Sequence, residues 1–159
     1  MRSMRRAALV LAAFAVGGCV NMIPPEPTPL ELQALQSRDY AQDKQVVFSS
    51  VMSVFQDMGY TATSADLETG FISAESAATG GFNLLDLLAE DSTVVQTRAT
   101  AYIERIGDST RVRLSFVEVR NTSSAEGQTN RRDVQVLDQM VYANAFERIE
   151  QAIFVRTAD

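Results

Sequence analysis

The chain has 159 residues, no histidine, no tryptophan, one cysteine and a formal charge of −6. That length builds one domain with a sizeable core. The lack of histidine and the lone cysteine exclude His- or Cys-dependent catalysis, an internal disulfide and a Cys/His zinc site, and the acidic balance argues against nucleic acid as a partner.

The first six residues, Met-Arg-Ser-Met-Arg-Arg, are positive, and Ala7 to Val16 form an uncharged apolar run. Gly17, Gly18 and Cys19 follow. Residues 1–18 therefore read as a secretory signal. Ten helical residues span about 15 Å, half of a ~30 Å hydrocarbon core, too little for a permanent transmembrane anchor. Val16-Gly17-Gly18-Cys19 resembles the lipobox of bacterial lipoproteins. The resemblance implies cleavage before Cys19, whose thiol then takes diacylglycerol and whose new amine takes an acyl chain such as palmitate. Position 20 is Val and not Asp, so the resemblance implies the outer membrane, facing the periplasm; the inner membrane and the cell surface stay open. Removing Arg2, Arg5 and Arg6 with the signal takes the formal charge from −6 to −9.

Prolines fall at 24, 25, 27 and 29 and nowhere else. Residues 19–35 read as a lipidated N-terminus and a proline-rich linker. At ~3.1 Å per residue, such a linker holds the domain up to roughly 30 Å from the bilayer.

Residues 36–159 read as a single α+β periplasmic domain. Leu30 to Leu35 predict a helical turn leading into it, and Ser37 to Ala41 a first strand. Asp43 is placed as an N-cap. Val47, Val51, Val54, Phe55 and Met58 then make one apolar helical face, and Gly59 sits where a helix ends. The helix is expected over Lys44–Met58. Tyr60–Asp66 and Phe71–Ser76 predict a hairpin around the turn Leu67-Glu68-Thr69-Gly70. An insertion follows at 78–92. Thr79-Gly80-Gly81 breaks the chain, then Phe82, Leu84, Leu85, Leu87 and Leu88 crowd together, which predicts a short apolar helix. Thr93–Ile106 and Thr110–Asn121 alternate apolar and polar residues and predict a second hairpin. Residues 122–133 read as polar loop. Asp138 can cap a last helix, with Leu137 and Tyr142 spaced for a hydrophobic staple. Tyr142, Phe146, Ile149 and Ile153 give its buried stripe. The fold class expected is α+β: an antiparallel sheet of four to five strands with two helices on one face, in the order β-α-β-β-insertion-β-β-α.

Two stretches carry a further resemblance. One is Val51-Met-Ser-Val-Phe-Gln-Asp-Met-Gly-Tyr60 with Asp66-Leu-Glu-Thr-Gly-Phe-Ile-Ser-Ala74; the other is Val141-Tyr-Ala-Asn-Ala-Phe-Glu-Arg-Ile-Glu-Gln-Ala-Ile-Phe154. Together they resemble bacterial envelope lipoproteins with a helix-grip domain of the BamC type. The resemblance implies that fold and an envelope location. The insertion at 78–92 and the short linker depart from it, so the assembly role of BamC is not implied.

No catalytic constellation stands out. Lys44 is the only lysine and sits at a helix start, an unsuitable place for a desolvated base activating a serine. Asp66 and Glu68 read as a polar turn, lacking the spaced oxygen ligands of a calcium loop. Glu147 and Glu150 read as a solvated helix face. Arg98, Arg111 and Arg113 share one face of a sheet; they suit an anionic glycan or acidic partner, or are solvated residues paired with Glu104 and Glu118. The apolar residues Phe82, Leu84, Leu85, Leu87 and Leu88 either complete the core or form a partner-docking patch. No metal and no cofactor is expected. The function expected is a lipid-anchored, non-catalytic binding or scaffolding module of the cell envelope, attached to the membrane through Cys19 and contacting an envelope protein. The alternative is an enzyme that acts on peptidoglycan or lipid through carboxylates alone.

Overall fold

The structure is a computed structural model that describes residues 27–81, 92–123 and 128–158. Cys19 and the segment carrying Phe82, Leu84, Leu85, Leu87 and Leu88 lie outside the described residues. Three helices and seven strands are described. They are α1 (Pro29–Gln36), β1 (Ser37–Tyr40), α2 (Lys44–Asp57), β2 (Tyr60–Asp66), β3 (Phe71–Ser76), β4 (Thr79–Gly81), β5 (Ser92–Ile106), β6 (Ser109–Ser123), β7 (Thr129–Gln135) and α3 (Gln139–Thr157).

The strands form one antiparallel sheet ordered β1-β6-β5-β3-β2, with β4 added beside β5 and β7 beside β6. The α+β class with helices on one face holds. The strand count is higher than the expected four to five, because two short strands extend the central hairpin. β7 replaces part of the expected loop at 122–133. All seven of its residues are exposed, so it carries no apolar period; pairing with Val117–Ser123 of β6 makes it a strand. β4 replaces the expected chain break at Thr79–Gly81 and pairs with Thr93–Val95. The insertion therefore starts and ends on paired strands.

α1 begins inside the stretch expected to be linker. Pro29 occupies its first turn, where a missing N–H costs nothing. Thr28 and Glu31 form a reciprocal capping box.

The core lies between the helices and one face of the sheet. Val47, Val51, Val54 and Phe55 of α2 meet Tyr142, Ala145, Phe146, Ile149 and Ile153 of α3 over Ile72, Ala74, Ala99, Ala101, Ile103, Val112, Leu114 and Phe116. Small alanines on β3 and β5 leave room for the helices to approach. Phe116 packs edge-on against Phe55 and Tyr142, a favoured geometry for aromatic pairs. The Tyr142 hydroxyl donates to the Val136 carbonyl at 3.0 Å and accepts from the Phe116 amide at 3.4 Å. Its one buried polar atom is thus satisfied.

The turn between β2 and β3 is closed by backbone contact. The Ile103 amide donates to the Gly70 carbonyl at 2.8 Å. Gly70 has φ +79°, and a Cβ there would lie 1.9 Å from the Ile103 carbonyl oxygen. Only glycine fits.

Candidate binding surface

The helices cover one face of the sheet. On the other face, the register places Phe71 opposite Tyr102, Tyr102 opposite Arg113, and Arg113 opposite Ser37. One row therefore crosses β3, β5, β6 and β1. Phe71 is 41% exposed and Tyr102 46%. Among the described residues Arg113 makes no ion pair, and it is exposed. The next row along the strands is Ser64, Ser73, Thr100 and Ser115, all small and hydroxylated. Beyond it stand Glu75 and Arg98, directly opposite each other.

Arginine–carboxylate pairs hold this face. Arg98 donates to Glu75 through Nε and Nη2, both at 3.0 Å. Arg111 grips Asp39 with two bonds of 2.7 and 2.8 Å. Arg131 does the same to Asp133 at 2.8 and 3.0 Å. The Arg111 and Arg131 pairs, which use both carboxylate oxygens, are the bidentate and stronger form of charged hydrogen bond. The bonded Arg111 guanidinium holds the Asp39 carboxyl below its usual range. Arg131 does so for Asp133, helped by the charge of Arg98.

Arg98, Arg111 and Arg113 do share one sheet face. Their partners differ from those expected. Glu75 and Asp39 take Arg98 and Arg111, while Glu118 pairs with Arg120 one position over in the strand alternation, on the helix side. Glu104 lies opposite Arg111 in register, and its negative charge adds to that of the bonded Asp39 in favouring the charged guanidinium. The aromatic row was not legible in sequence, because Phe71 and Tyr102 meet only once the β3–β5 register is known.

The other candidates are structural. Asp66 Oδ1 accepts the amides of Glu68 and Thr69 at 2.8 and 3.3 Å, which is an Asx turn. Lys44 Nζ donates to the Glu68 carbonyl at 2.8 Å, tying the start of α2 to that turn. Glu147 and Glu150 are exposed on α3. Among the described residues, no three Asp, Glu, Cys or His side chains are grouped to hold a metal ion. No helix of the described residues is long and apolar enough to cross a membrane.

Two open grooves flank α3. One, of about 440 Å³, lies between α1 and α3 and is lined by Pro27, Leu35, Leu137, Tyr142 and Phe146. The Arg38 guanidinium sits 4.9 Å above the Phe146 ring there, within cation–π range. The other, of about 510 Å³, lies between α2 and α3 beside Val54, Asp57 and Val155. No protein-family model matches this chain, and no curated protein matches it in sequence.

Proposed function

We propose that the chain is a lipid-anchored protein of the bacterial cell envelope, facing the periplasm from the outer membrane. Its domain binds or scaffolds another envelope component and catalyses nothing. The observation that carries the anchor is the basic start, the apolar run Ala7–Val16 and the Gly17-Gly18-Cys19 that ends it. The binding part is supported by the bare face of the sheet, where exposed Phe71 and Tyr102 lie in register with Arg113. Aromatic residues and arginine are the side chains enriched where proteins meet.

The state of the carboxylates weighs against the enzymatic alternative. A general acid working near neutrality needs a raised pKa. Among the described residues, the Asp and Glu side chains displaced from their ordinary values, Glu31, Asp39 and Asp133, are all displaced downward.

Two measurements test the proposal. Cys19→Ser should leave the protein in a soluble or uncleaved inner-membrane fraction; a processed form of that variant that still floats with outer membranes would refute the anchor. A photo-crosslinking residue at Tyr102 in intact cells should capture one discrete envelope component, and the same residue at exposed Glu147 should not. Equal capture at both positions would remove the bare face as the binding surface.

A further inference from the structure

The two most exposed large apolar side chains among the described residues are Met140, at 79%, and Leu30, at 75%. They hold the same position in two different helices. Leu30 is the second residue of α1 and Met140 the second residue of α3. The two helix starts flank one groove, which Pro27 and Glu31 line together with Leu137 and Gln139. Leu137 is itself 38% exposed.

The acidic groups beside these residues are exposed but engaged as caps of their own helices. Glu31 Oε2 accepts the Thr28 amide at 2.7 Å, and Asp138 Oδ1 accepts the Met140 amide at 2.8 Å. Capping engages each carboxylate with its own helix start.

This is also the end where the tether enters. We propose that the paired starts of α1 and α3, with Leu30, Leu137 and Met140, form the surface on which the domain rests against the phospholipid bilayer that holds its lipid anchor. This rests on the lipoprotein reading of Cys19. Seven residues lie between Cys19 and Pro27, a reach of about 25 Å over the eight residue steps when extended. That length permits a stand-off but does not force one. A tethered domain sees its own membrane at a high effective concentration, so a small apolar contact suffices to hold it down. Of the arginines that share a pocket with Leu30, Arg111 is paired with Asp39 and Arg38 lies over the Phe146 ring, so the contact draws on apolar insertion and not on anionic headgroups.

The contact is end-on. α3 has 19 residues and is therefore about 28 Å long. Phe154, 72% exposed, lies at its far end. Laying α3 flat would press exposed Glu147 and Gln151, which lie between Met140 and Phe154 on the same side of the helix, into the bilayer.

The test uses mature lipidated protein purified from membranes and placed in phosphatidylcholine–phosphatidylethanolamine vesicles. Lipidation consumes the thiol of Cys19, so Leu30→Cys, Met140→Cys and Phe154→Cys each offer a single free thiol for a fluorophore. All three sites are exposed, and the fold tolerates the change. Nitroxide-bearing lipids should quench labels at 30 and 140 roughly threefold more than the label at 154, as expected for side chains reaching the acyl boundary. Equal quenching at the three sites, or stronger quenching at 154, overturns the proposal. The mass of the purified protein separates the two readings. If Cys19 carries no lipid, the anchor and this contact both fall. If it is lipidated and positions 30 and 140 stay as wet as 154, only the contact falls.

Discussion

The half of the β5–β6 hairpin that lies under the helices and the half that runs past them use the same pairing and put different chemistry on the helix side. Under the helices, Ala99, Ala101, Ile103, Val112, Leu114 and Phe116 are at most 1% exposed. Past them, the same strand positions hold Thr97 opposite Glu118, Val95 opposite Arg120 and Thr93 opposite Thr122. β4 and β7 pair with this outer half and bring backbone hydrogen bonds but little apolar area. A hydrogen bond contributes a net ~0.5–1.5 kcal/mol, whereas burying one large apolar side chain contributes about 1.5–3 kcal/mol. Stability is therefore concentrated in the inner half, and the outer half is free to serve contacts.

Truncation should expose that asymmetry most strongly. Phe116→Ala removes a fully buried ring between α2, α3 and Tyr60 and should cost about 3–5 kcal/mol in urea unfolding. Val134→Ala, on β7 and 46% exposed, should stay within about 0.5 kcal/mol of the parent. Similar costs for both would mean that the outer half is part of the cooperative core.

A second, smaller effect belongs to the turn that closes the inner half. Gly70→Ala adds a Cβ onto the Ile103 carbonyl at a positive φ, a strain of about 1–3 kcal/mol. The parallel change at Gly107, φ +57° with nothing within 4 Å of an added Cβ, should cost less. Equal losses in melting temperature would show that backbone strain alone, and not the contact with Ile103, makes Gly70 necessary.

The arginine–carboxylate pairs of the two halves sharpen the contrast further. Asp39 links β1 to β6 through Arg111, while Asp133 pairs with Arg131 of its own strand. The Asp39 carboxyl is held below its ordinary value by Arg111. Its contribution is thus present above the unfolded value of about pH 4 and is lost as the pH falls through the depressed folded value. The pair is part-exposed, so Asp39→Asn should cost less than about 1 kcal/mol at neutral pH, and the difference should vanish in acid. Asp133→Asn, whose partner Arg131 is two residues away on the same strand, should cost less than Asp39→Asn. A gap between Asp39→Asn and the parent that persists at pH 2 would assign the loss to something other than the ion pair.

The inner half was legible in the sequence and the outer half was not, for a physical reason. Val47, Val51, Val54 and Phe55, the alternation around Ala101 and Leu114, and the stripe from Tyr142 to Ile153 are periodic because they are buried on one side. Those periods placed α2, α3 and β2, β3, β5 and β6 to within a few residues. Asp43 shows the limit within that success. It holds the N-cap position of α2, yet its side chain makes no cap bond and reaches Arg105 at 3.3 Å. Thr129–Gln135 and Thr79–Gly81 have no buried side to generate a period, and only strand pairing reveals them. The candidate face suffered likewise. Alternation put Arg98, Arg111 and Arg113 together, but Glu75, Asp39, Phe71 and Tyr102 joined them through registers between strands distant in sequence.

The smallest expected effect on stability comes from the leucine-rich segment. Gly81 pairs opposite Thr93 and Ser92 opposite Ser123, so the strands on either side of the segment belong to the outer half of the sheet. Among the described residues, the buried cluster beneath the helices draws on α2, α3 and the inner half of the sheet. If Leu84, Leu85, Leu87 and Leu88 serve contacts and not the core, replacing them with serine should change the melt little. If these leucines dock an envelope partner, the same variant should lose its crosslinks in intact cells while remaining folded and lipidated. A drop of several kcal/mol, on the scale of four buried leucines truncated at once, would instead place them in the cooperative core, and the inner half of the hairpin would no longer account for the stability of the domain.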